Sequence, residues 1–321
     1  MTLGRMIGWT AALALAGGCG AAQAAWPDDQ SIDLVVGFAP GGGTDLMARA
    51  MAPYVEKRLG GRAHIVVVNK PGAGGEISSS YVSRAKPDGY TVGFINAPGF
   101  MFIPMYKKTA YLPSEMRIIA RVVDDPALLV ARKDARYGSL KAIVEALRKD
   151  PGSLSFATSG RGTSGHIALM KIEKEADVRG TDIAFKGAGE FKSALLGGHV
   201  DYAFMSVAEF LVSNDENSPL RPIVLFHDQP MPVLPGVPTA AQEGYPVLVS
   251  SERGIAGPAA LPDDIAGRLE GAIRDTLADP VFIQSVKSDA PVLSFVPGRA
   301  WTQSLNALPA TLEPFVGKMK D

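Results

Sequence analysis

Phe38-Ala39-Pro40-Gly41-Gly42-Gly43-Thr44-Asp45 is the stretch of sequence that decides the fold. It follows an apolar run that is typical of a buried strand, residues 32–37, and a helical pattern begins where it ends. Glycine has no Cβ, so the backbone can approach a ligand closely, and the first N–H groups of a helix lack partners within the helix. A strand, a glycine loop and a helix start therefore predict a cradle for a bound carboxylate or phosphate.

The same unit recurs along the chain, with glycine loops at residues 70–75 and 158–164. Each loop follows an apolar strand-like run and precedes a helical pattern, at residues 76–86 and 165–176. A tight turn between a strand and a helix also uses glycine, so a single loop fits either interpretation. Three loops that each carry several glycines favour anion binding.

Strands that alternate with helices indicate an α/β fold, in which a doubly wound and mainly parallel sheet is covered on both faces. The length of the chain favours two lobes over one. The long apolar segment 118–131 is interrupted by Asp124-Asp125-Pro126, and a second segment, 247–257, crosses back, so we expect two hinges. Ligands of such sheets bind beyond the carboxyl ends of the strands, so loops from both lobes would face one closing cleft.

Residues 1–24 have the pattern of a secretory signal peptide, with an early Arg5, an apolar stretch and small residues before a cleavage site after Ala24. The apolar run is shorter than the roughly 20 residues of a membrane-spanning helix, which argues against an anchor. A lipid anchor on Cys19 is the alternative, although Ala16-Gly17-Gly18 lacks the large aliphatic residue that such sites usually carry. We therefore expect export to the periplasm.

The rest of the chain contains no cysteine, which excludes disulfides, zinc–thiolate centres and cysteine nucleophiles. Without Arg5 the formal net charge changes from −1 to −2, and this balance argues against nucleic acid as a partner. The four histidines have no metal-like spacing, so we expect no metal, and the sequence points to no cofactor. Stability must come from a packed apolar core.

Motifs for catalysis and nucleotide binding are missing from the sequence. There is no G-x-S-x-G elbow, and residues 187–193 depart from a phosphate loop where Phe191 precedes the lysine. His166 would need a nucleophile and an orienting partner to act as a base, and no such set is evident. We therefore predict that the protein is not an enzyme, with an exported hydrolase that uses Ser164 as the alternative.

Three polar residues at the predicted cleft have roles that the sequence leaves open. Asp45 would repel a bound carboxylate, so it either caps and orders the glycine loop or meets a bridging water or a ligand ammonium. His166 stands at a helix start, where we expect it to hydrogen-bond the ligand or the loop. Lys186 follows a strand and is the candidate cation of the cleft, with an ordinary exposed lysine as the alternative.

Seven segments, in order along the chain, carry a family resemblance. They are Phe38-Ala39-Pro40-Gly41-Gly42-Gly43-Thr44-Asp45, Val68-Asn69-Lys70-Pro71-Gly72-Ala73-Gly74-Gly75, Ala85-Lys86-Pro87-Asp88-Gly89-Tyr90-Thr91, Ala157-Thr158-Ser159-Gly160-Arg161-Gly162-Thr163-Ser164-Gly165-His166, Lys186-Gly187-Ala188-Gly189, Leu196-Gly197-Gly198-His199-Val200-Asp201 and Leu234-Pro235-Gly236-Val237-Pro238-Thr239. On these segments the chain resembles the Bug receptors, the TctC-like periplasmic substrate-binding components of tripartite tricarboxylate transporters.

The resemblance implies a two-lobed periplasmic binding protein of the type II-like class. Lobe I would comprise residues 25–124 with 250–321, lobe II residues 125–249, and the hinges would lie near 124–127 and 249–254. The implied ligand is a small organic acid: a di- or tricarboxylate, an aromatic carboxylate or an acidic amino acid. A monomeric receptor would deliver it to the membrane subunits of a transporter, and a periplasmic sensor for a signalling partner is the alternative.

The residues that we expect at the ligand come from both lobes, and the resemblance implies all of them except Asn96, Phe191 and Ser206. Lobe I would contribute Phe38, Ala39, Gly41, Gly42, Gly43, Thr44, Asp45, Ala73, Gly74 and Asn96. Lobe II would contribute Thr158, Ser159, Gly160, Gly162, Thr163, Ser164, His166, Lys186, Gly187, Phe191 and Ser206.

Two departures from the family pattern lie at loop ends that would face the cleft. They are Asn96-Ala97-Pro98-Gly99-Phe100 and Glu190-Phe191-Lys192. We hypothesise that Phe100 or Phe191 shapes a more apolar pocket, suited to an aromatic or long-chain carboxylate.

Overall fold

The computed structural model describes residues 26–213 and 217–319. The expected signal peptide, its cleavage site and Cys19 lie outside the described residues. The strands are β1 (Ile32–Val36), β2 (Ile65–Asn69), β3 (Thr91–Ala97), β4 (Met116–Arg132), β5 (Ser155–Thr158), β6 (Thr181–Ala184), β7 (Tyr202–Ser206), β8 (Leu220–Leu225), β9 (Ser250–Pro258) and β10 (Leu293–Pro297). The helices are α1 (Gly43–Leu59), α2 (Glu76–Ser83), α3 (Gly99–Tyr106), α4 (Leu140–Lys149), α5 (Ser164–Ala176), α6 (Ala188–Leu196), α7 (Val207–Ser213), α8 (Asp263–Leu277), α9 (Pro280–Ser285) and α10 (Gly298–Val316).

The strands follow one hydrogen-bonded path in the order β2-β1-β3-β9-β4-β7-β5-β6, with β8 and β10 paired to β4 outside this path. At one end β1 pairs in parallel with β2 and β3, and we call this end the β1 side. At the other end, the β5 side, β5 pairs in parallel with β6 and β7. β4 and β9 run antiparallel to each other and join the two sides. The predicted α/β class is confirmed, as two parallel groups joined by antiparallel strands.

β4 is continuous through Asp124-Asp125-Pro126, where the sequence pattern predicted an interruption. Up to Pro126 the strand pairs with β9, and from Ala127 onward it pairs with β7 and β8. Proline has no N–H to donate to a ladder, and Pro126 stands where the ladder changes partner. The strand-breaking signal thus marks an exchange of neighbours within one strand.

Helix starts follow from their capping residues. The side chain of Ser139 accepts a hydrogen bond from the Ala142 N–H at 3.2 Å and so caps α4. α8 begins with Asp263 and Asp264, whose carboxylates favour the positive end of the helix dipole.

One apolar cluster extends through both sides of the sheet. It includes Val36 of β1, Met47 of α1, Leu128 of β4 and Met205 of β7, all of which are buried. Full burial of such a side chain contributes about 1.5–3 kcal/mol. The glycine loops are therefore attached to strands and helices that are fixed by packing.

The end of β3 differs from the sequence pattern, and this difference bears on the site. β3 continues to Ala97, so Asn96 lies within a strand and opposite Arg253 of β9, whereas the pattern predicted a loop there. The cross-strand partner satisfies the backbone of Asn96, and such a partner is not visible in the local sequence. Among the described helices, none is long and apolar enough to span a bilayer.

Candidate functional site

A small enclosed cavity, which we call the inner cavity, lies between the carboxyl ends of β1 and β3 and the first turns of α5 and α6. Its volume is about 50 Å³, a few times the roughly 10–15 Å³ that one water needs. Ten of the residues predicted from the sequence line it: Phe38, Gly42, Gly43, Thr44, Gly74, Asn96, Ser159, Thr163, Ser164 and Ser206. Both sides of the sheet therefore contribute to its wall.

The start of α1 forms one wall of the inner cavity. The Gly43 N–H donates to Oε1 of Glu209 at 3.4 Å, and the Asn96 side chain donates to the Thr44 hydroxyl at 3.0 Å. A Cβ on Gly43 would lie 2.7 Å from Nη1 of Arg253 and 3.0 Å from Cγ of Glu209. A side chain at this position would displace Arg253 or Glu209, because the backbone lies directly against both charged side chains.

Asp45 turns towards the glycine loop. Its Oδ2 accepts the Gly41 N–H at 2.9 Å, its Oδ1 accepts from the Asn69 side chain at 2.8 Å, and Arg49 pairs with it at 2.9 Å. Burial alone would raise the pKa of Asp45, but these donors together hold it below its usual value. This geometry favours the loop-ordering alternative over direct contact with a ligand.

The β5–α5 loop forms the opposite wall and is held by its own side chains. The Gly162 N–H donates to Nδ1 of the buried His166 at 3.2 Å, and the Thr163 hydroxyl donates to the Gly160 carbonyl at 2.7 Å. Burial lowers the pKa of His166, while Asp182, 3.8 Å from Nε2, acts in the other direction. The imidazole is therefore the neutral form that accepts from Gly162. Thr158 is fully buried and donates to Asp182 at 2.8 Å.

Two charged residues that the sequence analysis missed, Glu209 and Arg253, also line the inner cavity. Arg253 is 2% exposed and forms an ion pair with Asp125, which is fully buried. Burial raises the pKa of Asp125 to about 6, although the Arg253 charge and donors from Ser206 and Ala208 act to lower it. A sequence signal existed for Arg253 alone, as a charged residue within the crossing segment 247–257.

A larger open depression, the outer cleft, adjoins the inner cavity and has a volume of about 630 Å³. It contains three more of the predicted residues, Ala73, Gly160 and Lys186. Lys186 is exposed and lies with Lys107 and Arg161, which makes this opening basic. Basic surfaces attract anions and raise their local concentration.

The glycine loops of the two sides touch each other. A Cβ on Gly74 would lie 2.9 Å from the Arg161 carbonyl oxygen, and one on Gly187 would lie 3.4 Å from the Ala39 nitrogen. Gly74 has a φ of +66°, a conformation that glycine adopts without strain. Several glycines that the sequence assigned to anion binding thus also permit close approach of two backbones. Ala39, Gly41 and Gly187 belong to these loops and lie outside the lining of the inner cavity.

Phe100 and Phe191, which we hypothesised to shape the pocket, lie outside the lining of the inner cavity. Phe191 is fully buried in the main apolar cluster, and Phe100 stacks on Tyr111 with ring centroids 5.4 Å apart. The inner cavity has Phe38 and Phe204 in its wall instead. Phe191 lies on the face of α6 that packs on the sheet. A single local motif does not reveal which face of a helix is buried.

Within residues 26–213 and 217–319, no three or more histidine, cysteine or carboxylate side chains gather as a metal site. What the inner cavity offers is backbone N–H groups at helix starts, hydroxyls, a buried guanidinium and one carboxylate. Such an arrangement can hold a small polar ligand through hydrogen bonds and charge.

Comparison with known sequences adds to this geometry. A family model described as "Tripartite tricarboxylate transporter family receptor" matches residues 47–294. A UPF0065 protein of Bordetella pertussis is 29% identical over 261 residues, which cover 79% of this chain and 78% of that protein. Protein BugT of the same organism is 30% identical over 223 residues, 68% of each chain.

Comparison with solved structures confirms the predicted fold. The periplasmic binding protein BugD superposes with a TM-score of 0.82 at 28% identity, over 90% of this chain and 98% of that one. MatC from Rhodopseudomonas palustris, solved with bound malate, gives a TM-score of 0.76 at 26% identity, over 91% of this chain and 98% of MatC. The architecture is that of a periplasmic binding protein.

Proposed function

The chain belongs to the tripartite tricarboxylate transporter receptor family, and on that premise we propose that it is an extracytoplasmic receptor whose inner cavity binds a small carboxylate-bearing ligand. One observation carries the proposal: the first turns of three helices, α1, α5 and α6, converge on that cavity. Each helix start has N–H groups that lack partners within the helix and a positive dipole end, which together favour an anion.

The energetics support a ligand of this class. A charged hydrogen bond contributes about 1.5–3 kcal/mol, and a helix N-terminus adds about 0.3–1 kcal/mol. Ser159 and Ser164 line the cavity beside the α5 start, and their hydroxyl groups can donate hydrogen bonds to a carboxylate. The related MatC was solved with malate, which is a small carboxylate. A few such contacts reach micromolar affinity, about −8 kcal/mol.

Ligand capture requires the cavity to open. We propose lobes formed by residues 25–124 with 250–321 and by residues 125–249, joined by hinges near 124–127 and 249–254. Two observations support this division. β4 changes strand partner at Pro126, and the glycine loops of the two sides touch only through non-covalent contacts. Closure would remove water from the ligand and strengthen each polar contact.

The receptor would act in the periplasm, after removal of residues 1–24, and as a monomer that delivers its ligand to transporter membrane subunits. A sensor role for the same ligand is compatible with the same site. Catalysis is not part of the proposal: Nδ1 of His166 accepts the Gly162 N–H and its Nε2 faces Asp182, which leaves no imidazole prepared to activate Ser164.

A thermal-shift panel tests the proposal. The purified protein is unfolded and refolded to remove any captured ligand, then heated with mono-, di- and tricarboxylates, aromatic acids and amino acids. A ligand at 100 times its dissociation constant stabilises the fold by about 2.7 kcal/mol, which gives a clear shift. Ser164→Ala should weaken the hit, and Ser304→Ala, at an exposed position of α10, should not. A panel without any carboxylate hit would overturn the proposal.

A further inference from the structure

The inner cavity contains a carboxylate of its own. The Glu209 side chain bridges the two sides: Oε1 accepts the Gly43 N–H of α1 at 3.4 Å, and Oε2 accepts the Ser206 N–H at 3.1 Å. Glu209 is the only acidic residue among those that line the cavity in the described chain. The positive end of α1 is therefore already matched by a protein anion.

Around Glu209, carboxylate groups outnumber positively charged groups. Arg253 is the one cation of the lining, and three carboxylates, those of Asp125, Asp289 and Glu209, lie within its electrostatic reach. Asp289 is 7% exposed, and its Oδ1 has no hydrogen-bond partner among the described residues. Burial raises the pKa of Asp289, with the Glu209 charge adding to this effect and the Arg253 charge opposing it.

Arg253 is nevertheless incompletely paired. Its side chain is 2% exposed and lines the inner cavity, and its Nε has no hydrogen-bond partner among the described residues. A buried donor without a partner carries a desolvation cost. The wall at Glu209 therefore adjoins a guanidinium whose hydrogen bonds among the described residues are incomplete.

The opposite wall differs in charge. Ser159 and the α5 start line it, and the Thr163 hydroxyl is turned to the Gly160 carbonyl, which leaves the first N–H groups of α5 without a side-chain cap from that residue. This wall favours a carboxylate, whereas a carboxylate placed beside Glu209 would be repelled. The cavity thus offers a binding position for a ligand anion at the α5 start and one for a ligand cation at Glu209.

We propose that the ligand is a small zwitterion, with a carboxylate at the α5 start and an ammonium group that pairs with Glu209, so that Glu209 selects against simple carboxylates. The inference rests on the proposed receptor function and narrows its substrate class. The small volume of the cavity favours a compact ligand in which the two charged groups are carried on neighbouring carbons.

Matched ligand pairs test the inference by isothermal titration of the refolded full chain. The pairs share a carbon skeleton and differ in one ammonium group: succinate with aspartate, glutarate with glutamate, and propanoate with alanine. For at least one pair we expect the amino member to bind about tenfold more tightly or better, the factor that a charge-assisted hydrogen bond supports. Glu209→Gln, which keeps one acceptor and the side-chain shape, should remove that preference, whereas Glu145→Gln, at an exposed position of α4, should retain it.

Two outcomes would overturn the inference while leaving the receptor function intact. One is that, in every pair, the simple carboxylate binds the wild type at least as tightly as its amino partner. The other is a preference for the amino member that Glu209→Gln leaves unchanged in a variant with a normal circular dichroism spectrum. Absence of binding by every carboxylate, with or without an ammonium group, would instead contradict the receptor function itself.

Discussion

Arg253 of β9 and Asp125 of β4 form a buried ion pair at the place where these two strands pass between the β1 side and the β5 side. Asp125 also accepts the Ala208 N–H of α7 at 3.2 Å, so the pair joins three elements. Because Arg253 lines the inner cavity, the position of a cavity wall depends on a carboxylate that does not itself line it.

Removal of the Asp125 charge is expected to destabilise the fold strongly. Asp125→Asn leaves Arg253 buried without its counter-charge, and we expect the free energy of unfolding to fall by about 3–5 kcal/mol in urea denaturation. Asp275→Asn is the matched control, because Asp275 pairs with Arg274 on the exposed surface. It should leave the midpoint nearly unchanged. Equal losses in the two variants would contradict a structural role for the buried pair.

Two glycine-to-alanine changes should have opposite signs. The Cβ of Gly43→Ala would meet Arg253 at 2.7 Å, and since that side chain is buried and ion-paired, we expect a loss of about 1–3 kcal/mol of stability. Gly267→Ala, in the exposed face of α8 with no atom within 4 Å, should gain roughly 0.5–1 kcal/mol. Thermal denaturation of both variants measures the difference. A Gly43→Ala protein as stable as the wild type would show that the wall can move.

His166 should give the stability a dependence on pH. Its pKa in the folded state is lowered from 6.5, so the unfolded state takes up the proton first. The contribution of His166 is therefore present above about pH 6.5 and is lost as the pH falls towards the folded-state pKa. His166→Gln should flatten this decline in a series of urea titrations. His199→Gln, at an exposed position, should retain the decline because His166 is intact. Parallel curves for the wild type and His166→Gln would refute this assignment.

The two aromatic positions Phe191 and Phe204 should separate packing from ligand contact. Phe191 is fully buried in the main cluster, whereas Phe204 lines the inner cavity and packs against Phe156 and Phe226. Both changes to leucine should lower stability by about 1–2 kcal/mol. Only Phe204→Leu should alter the affinity ratio within a ligand panel. A change of that ratio in Phe191→Leu would restore the hypothesis that Phe191 shapes the pocket.

The elements that carry local signals were predictable. Apolar runs followed by glycine loops identified β1, β2 and β5 with the helices after them. The α/β class follows from this alternation, because parallel strands end at one edge of the sheet. The ten predicted residues of the cavity wall came mainly from the glycine loops and the family resemblance that they carry.

The charged part of the site was not predictable in the same way. Arg253 contacts Asp125, which is 128 positions away in the chain, and Glu209 contacts Gly43, which is 166 positions away. No local periodicity encodes such pairs. The burial of Phe191 likewise depends on which face of α6 packs on the sheet, and not on its place in a loop motif.

The continuity of β4 has a consequence for cooperativity. β4 is one strand of 17 residues. Its first part pairs with β9 and β10, and its second part pairs with β7 and β8. Loss of either set of neighbours exposes backbone groups of the same strand, so neither side can melt without weakening the other. A calorimetric scan should therefore give a single transition, and residues 125–249 expressed alone, with β4 cut short and β9 absent, should fail to fold.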